Sequence, residues 1–206
     1  MTGTLGILAY GSLIDDPGPE LAAVVVRVIK EGVITPFKVE FARTSATRAG
    51  APTLVPVTTG GAHIPAQILV LRADIDESTA REILWRRETG RTGGALALGN
   101  QTPAGANRII ERLQDFHGIS VVLYVRIGTN IARLTAQKLA ELAIASVKFA
   151  DLQEGRDGIS YLAAALRNGV RTPLTGEFEQ EIKRQTGAVS LAEALRTLRG
   201  ARRRDR

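Results

Sequence analysis

Apolar residues in the first half of the chain recur in short runs at the spacing of strands. Residues 4–9 (TLGILA) form an apolar run that ends in Tyr-Gly-Ser. This predicts a buried strand delivering its C-terminal end into a loop. Pro17, Gly18 and Pro19 turn the chain, and a short helical or extended stretch is expected over residues 20–29. Within residues 33–44 (VITPFKVEFART), apolar and polar side chains alternate from Phe37 to Phe41, as in a half-buried strand. Gly60-Gly61 separates two β-rich runs, 53–59 and 65–72, which are expected to pair as a hairpin.

The period changes at residues 76–88 (DESTAREILWRRE). Ala80, Ile83 and Leu84 fall at helical spacing, acidic residues occupy the first turn, and Gly90 offers a stop. Residues 89–105 are rich in glycine and small residues, which predicts a loop. Pro103 is then expected to open a helix with Ile109, Ile110, Leu113 and Phe116 as its buried stripe and Gly118 as its end. Residues 119–127 (ISVVLYVRI) predict a β-branched strand. From Thr135 onward the spacing is helical, and Ser190 with Glu193 forms a capping-box signature for the last helix. The expected fold is α+β in one domain, with a core over 1–134 and a helical extension over 135–206 that ends in a basic tail.

Composition narrows the chemistry. A chain of 206 residues with 44% hydrophobic content can bury a substantial core. Cysteine is absent, which excludes disulfides, thiolate nucleophiles and cysteine zinc sites. His63 and His117 show none of the paired spacings used by metal sites, so no dedicated metal site is expected. There is no secretory leader pattern and no apolar run of membrane-spanning length, which predicts a soluble, cytosolic protein without a membrane partner.

The formal charge is +6, but residues 199–206 (RGARRRDR) hold five arginines and one aspartate, leaving +2 for everything before them. A terminal arginine cluster can bind phosphates or an acidic partner. A solvated, frayed tail is the plainer account, and the tail lacks the interleaved aromatics that favour nucleic-acid bases.

Two features carry candidate chemistry. Glu88 ends a helix, where the unpaired carbonyls disfavour an anion, and it follows Leu84 and Ala80 at helical spacing on the apolar face. Both surroundings penalise the ionised carboxylate, which predicts a carboxyl suited to taking and giving protons. The alternative is a surface glutamate paired with Arg87, Arg91 or Arg48. The second feature is Tyr10-Gly11-Ser12-Leu13, a polar turn directly after an apolar strand, whose backbone N–H groups can hold a carboxylate or an oxyanion. Its alternative is a plain turn with Gly11 chosen for backbone freedom. Ser12 has no histidine partner in the sequence and no G-x-S-x-G elbow, so no serine nucleophile is expected.

The chain resembles the γ-glutamylcyclotransferase-like family in three places. These are a strand running into YGSL, the stretch from Phe41 to Pro52 (Phe-x-Arg-x-Ser-x-x-Arg-x-Gly-x-Pro), and a helix ending in Arg87-Glu88. The resemblance spans roughly residues 5–128. It implies a small mixed β-barrel flanked by helices, and an enzyme converting a γ-glutamyl amide or peptide to 5-oxoproline and a free amine without metal or cofactor. It further implies Glu88 as general acid/base, with Tyr10, Gly11, Ser12 and Leu13 binding substrate. Arg43, Ser45 and Arg48 match the family's polar stretch and are expected to aid anion binding or to serve a structural role. A noncatalytic binder of a γ-glutamyl-like anion is the competing expectation.

Overall fold

The computed structural model describes residues 3–90, 108–149 and 155–204. The chain divides into two compact units, residues 1–35 with 65–128 and residues 36–64 with 129–206.

The first unit contains strands β1 (Leu5–Ala9) and β2 (Val25–Ile29). The second unit contributes β3 (Val39–Ser45) and β4 (Ala51–Pro56), and the first resumes with β5 (Gln67–Leu71), β6 (Arg108–Phe116) and β7 (Ile119–Ile127). In the first unit the strands form one mixed sheet of order β2-β5-β1-β7-β6. β1 is buried at all five positions, which is why it reads as an unbroken apolar run. It pairs in parallel with β7, Ile7 opposite Leu123, and antiparallel with β5. The expected barrel does not form: the sheet is open among the described residues, with β2 and β6 at its edges.

Three helices belong to this unit among the described residues: α1 (Ser12–Asp15), α2 (Pro19–Ala22) and α3 (Glu77–Thr89). The sequence sets both ends of α3. The Asp76 carboxylate accepts from the Thr79 N–H at 2.7 Å, and Gly90 ends the helix in the left-handed conformation at φ 66°. Ala80, Ile83 and Leu84 bury one stripe of α3 in a cluster with Leu5, Ile7, Ala9, Leu69, Leu71, Leu123 and Val125. The helix therefore covers one face of the sheet, and its C-terminal turn lies beside the loop that follows β1.

Residues 108–116 are not the expected helix. They form β6, paired antiparallel with β7 from Arg108 opposite Ile127 to Phe116 opposite Ile119. The spacing of Ile109, Leu113 and Phe116 fits a helical period, but Ile109 is 49% exposed and no single apolar stripe exists. The hairpin is set by its two-residue loop, in which His117 and Gly118 both take positive φ, 52° and 75°, matching the right-handed twist of the flanking strands. Pro103 and the expected loop over 89–105 lie outside the described residues, apart from Thr89, which ends α3, and Gly90.

The runs around Gly60-Gly61 are strands, but they do not pair with each other. β4 pairs with β3 and β5 pairs with β1 and β2. Gly61 is needed where it stands, because a Cβ there would meet the Val39 carbonyl oxygen at 2.7 Å.

Among the described residues, the second unit joins the β3–β4 hairpin to four α-helices: α4 (Ala136–Phe149), α5 (Gly158–Arg167), α6 (Thr175–Thr186) and α7 (Leu191–Arg204). Phe41 of β3 is fully buried and packs edge-on against Tyr161 and Phe178, with ring centroids 6.2 and 5.4 Å away. The expected alternation along this strand fails at Glu40. Its side chain is buried, and its carboxylate accepts from the Phe41 N–H at 2.9 Å, the Thr172 hydroxyl at 2.6 Å and the Leu174 N–H at 3.3 Å. Hydrogen bonding permits the burial.

At α7, the Glu193 N–H donates to Ser190 Oγ at 3.2 Å and the Glu193 carboxylate accepts from the Val189 N–H at 2.9 Å. The backbone stays helical through Arg204, so most of the basic tail continues a helix where fraying is the plainer sequence reading. No helix among the described residues is long and apolar enough to cross a membrane.

Candidate active site

β1 delivers Tyr10 to the end of the sheet, where its hydroxyl donates to the Val125 carbonyl at 2.6 Å. Gly11 then takes φ 57° and ψ −129°, a conformation open to glycine and costly for any residue with a Cβ. This bend reverses the chain into α1, with Leu13 turned into the core. The Leu13 and Ile14 N–H groups are directed back at the Tyr10 and Gly11 carbonyls at 3.3 and 3.4 Å. The Gly11 and Ser12 N–H groups of the bend itself meet no acceptor among the described residues.

Glu88 lies in the last turn of α3, its side chain 15% exposed. Its stripe includes the fully buried Leu84, and also Glu77 and Arg81, so Glu88 stands at the border of the apolar face. Arg87 Nη1 donates to Glu88 Oε1 at 2.5 Å. The pairing with Arg87 that the sequence left open is therefore made, and the carboxylate charge is compensated. Oε2 receives no hydrogen bond from a described residue.

Arg87 ties this carboxylate to the loop. Its Nη2 donates to Ser12 Oγ at 3.3 Å, and its Nε and Nη2 donate to the Asp16 carbonyl at 3.1 and 2.5 Å. Gly18 leaves room for the arginine, since a Cβ there would meet Arg87 Cγ at 3.3 Å. One guanidinium thus connects the C-terminal turn of α3 to the bend after β1. The sequence signals both ends of this link. The bridging role of Arg87 is missed because nothing in its spacing points across 75 residues to Ser12.

Arg43, Ser45 and Arg48 belong to the second unit. Arg48 donates to the Gly155 carbonyl at 3.0 Å and stacks over the Tyr161 ring at 4.9 Å, a structural commitment. Ser45 Oγ lies 3.0 Å from Thr47 Oγ1, and the Arg43 carbonyl accepts from Thr53 Oγ1 at 3.1 Å.

Two other groups stand out. On β7, Tyr124 donates to Glu111, whose other carboxylate oxygen pairs with Arg126 at 2.6 Å. Burial, then the Glu111 contact, pushes the Tyr124 phenol well above its ordinary value. On β6, Arg108 has a buried Nε with no hydrogen-bond partner. Among the described residues no three His, Asp or Glu side chains group closely enough to hold a metal ion.

No family model matches the sequence, and no curated protein matches it.

Proposed function

We propose that the protein is a γ-glutamylcyclotransferase-type enzyme, releasing 5-oxoproline and a free amine from a γ-glutamyl amide or peptide. The observation that carries this reading is the Arg87 bridge: it holds a half-buried carboxylate, Glu88, beside the Gly11–Ser12 bend and leaves one carboxylate oxygen without a partner among the described residues. The motifs that resemble the family, YGSL and Arg87-Glu88, supply the two ends of that bridge.

The substrate's α-amine attacks its own γ-carbonyl carbon. A C–N bond forms, the carbonyl oxygen gains negative charge, and the attacking nitrogen loses a proton to Glu88 Oε2. The Gly11 and Ser12 N–H groups face the developing oxyanion. When the intermediate collapses, the original amide C–N bond breaks and Glu88 returns the proton to the departing amine. Because nucleophile and electrophile share one molecule, folding the glutamyl group into a reactive conformer supplies much of the acceleration.

Glu88→Gln is expected to abolish 5-oxoproline release across a panel of γ-glutamyl amines, γ-glutamyl amino acids and glutathione, with the circular-dichroism spectrum unchanged. Full activity in that variant would sink the mechanism. Saturable binding without turnover in the unaltered protein would instead identify a noncatalytic binder.

A further inference from the structure

Arg108 is a half-buried side chain whose Nε is the one fully buried side-chain nitrogen or oxygen without a hydrogen-bond partner among the described residues. A guanidinium is always charged, and burying a donor without an acceptor is costly. Such a group invites an anion.

Its place in the fold says which anion. Arg112, on the same face of β6 as Arg108, pairs with Glu77 at 3.2 Å. Arg81 donates to the Ile110 carbonyl at 3.1 Å. Four residues along α3 (about 6 Å) therefore match two residues back along β6 (about 6.7 Å). Helix and strand run side by side in opposite directions. Glu88 follows Glu77 by eleven residues, three turns later on the same stripe, about 16 Å along the axis. Arg108 precedes Arg112 by four residues, about 13 Å along the strand. Arg108 and Glu88 thus come level at one end of the sheet, on the face that α3 covers. The loop after β1 reaches this end too, since β1 runs parallel to β7 and Arg108 stands opposite Ile127, the last residue of β7. No ion pair joins Arg108 to Glu88.

We infer that Arg108 binds the α-carboxylate of the substrate's glutamyl group, across from Glu88, which leaves the Gly11 and Ser12 N–H groups for the γ-carbonyl oxygen. The inference rests on the cyclotransferase reading. It makes Arg108 the residue that selects for the α-carboxylate every 5-oxoproline-forming substrate carries, held at one end while the α-amine is presented to Glu88.

The test compares two pairs of ligands that differ by that carboxylate alone: 5-oxoproline with 2-pyrrolidinone in ligand-observed NMR, and a turned-over γ-glutamyl amide with its decarboxylated counterpart in product release. The unaltered protein should prefer the carboxylate form by about tenfold or more. Arg108→Gln should erase that preference and raise KM at least as much while kcat changes little. Arg108→Lys should recover part of it, and provides the comparison if the glutamine variant folds poorly. If 5-oxoproline is released yet Arg108→Gln keeps the preference and KM, the assignment of Arg108 is overturned and the enzyme reading stands. If no γ-glutamyl compound turns over but the binding preference exists and depends on Arg108, the enzyme reading fails and the carboxylate site remains. Equal binding of both ligands by the unaltered protein overturns the assignment outright.

Discussion

Arg87 and Glu88 are neighbours in sequence and share a helical turn, yet Arg87 Nη1 donates to Glu88 Oε1 at 2.5 Å. Side chains one residue apart on a helix project about 100° apart. The remaining Arg87 donors go to Ser12 and Asp16. Arg87 is in this sense a positioning residue for the proposed proton-transfer group.

Arg87→Ala is expected to lower kcat/KM for 5-oxoproline release by about tenfold or more, the scale of a lost hydrogen bond between charged groups. Arg87→Lys keeps the charge but cannot reach Glu88, Ser12 and Asp16 together, and should recover only part of the loss. A merely structural arginine would lower the melting temperature and leave kcat of the folded enzyme alone. Displacing Glu88 should lower kcat.

Glu40 tests the second unit. Its buried carboxylate accepts from Thr172 and Leu174, just before α6 begins. Glu40→Ala should destabilise the protein by about 1–3 kcal/mol in urea unfolding, because buried donors lose their acceptor. An unchanged midpoint would show that water replaces the carboxylate at no cost.

Tyr124 supplies a pH prediction. Burial and the neighbouring Glu111 carboxylate raise its phenol above the ordinary value of 10.0. A phenol whose folded pKa is raised contributes stability that is fully present below the unfolded pKa and is lost as pH rises through the folded one. Stability should therefore decline above about pH 10. In an absorbance titration near 295 nm, Tyr124 should ionise later than a free tyrosine, and Tyr124→Phe should remove that late step. An ordinary titration of this residue would contradict the structure.

The elements legible from the sequence are those whose signals are local. β1 and β7 announce themselves by unbroken apolar and β-branched runs, and α3 by its Asp76 cap, its stripe and Gly90. β6 misleads because Ile109, Leu113 and Phe116 fit a helical period. The His117-Gly118 turn and the strand that follows were the signals for a hairpin. Glu40 misleads in the other direction: a charged residue in an alternating run reads as exposed, and two of the three donors that make its burial tolerable, Thr172 and Leu174, lie more than 130 residues away.

Local physics in the sequence, then, determined where the bend after β1 falls, where α3 begins and ends, and that a carboxylate stands in its last turn. Which strands pair and what meets that carboxylate were tertiary decisions. Arg87 reaching Ser12 and Arg108 coming level with Glu88 depend on α3 lying along β6, and on β1 running parallel to β7. No residue carries such information alone, because pairing energies arise between groups far apart in the chain.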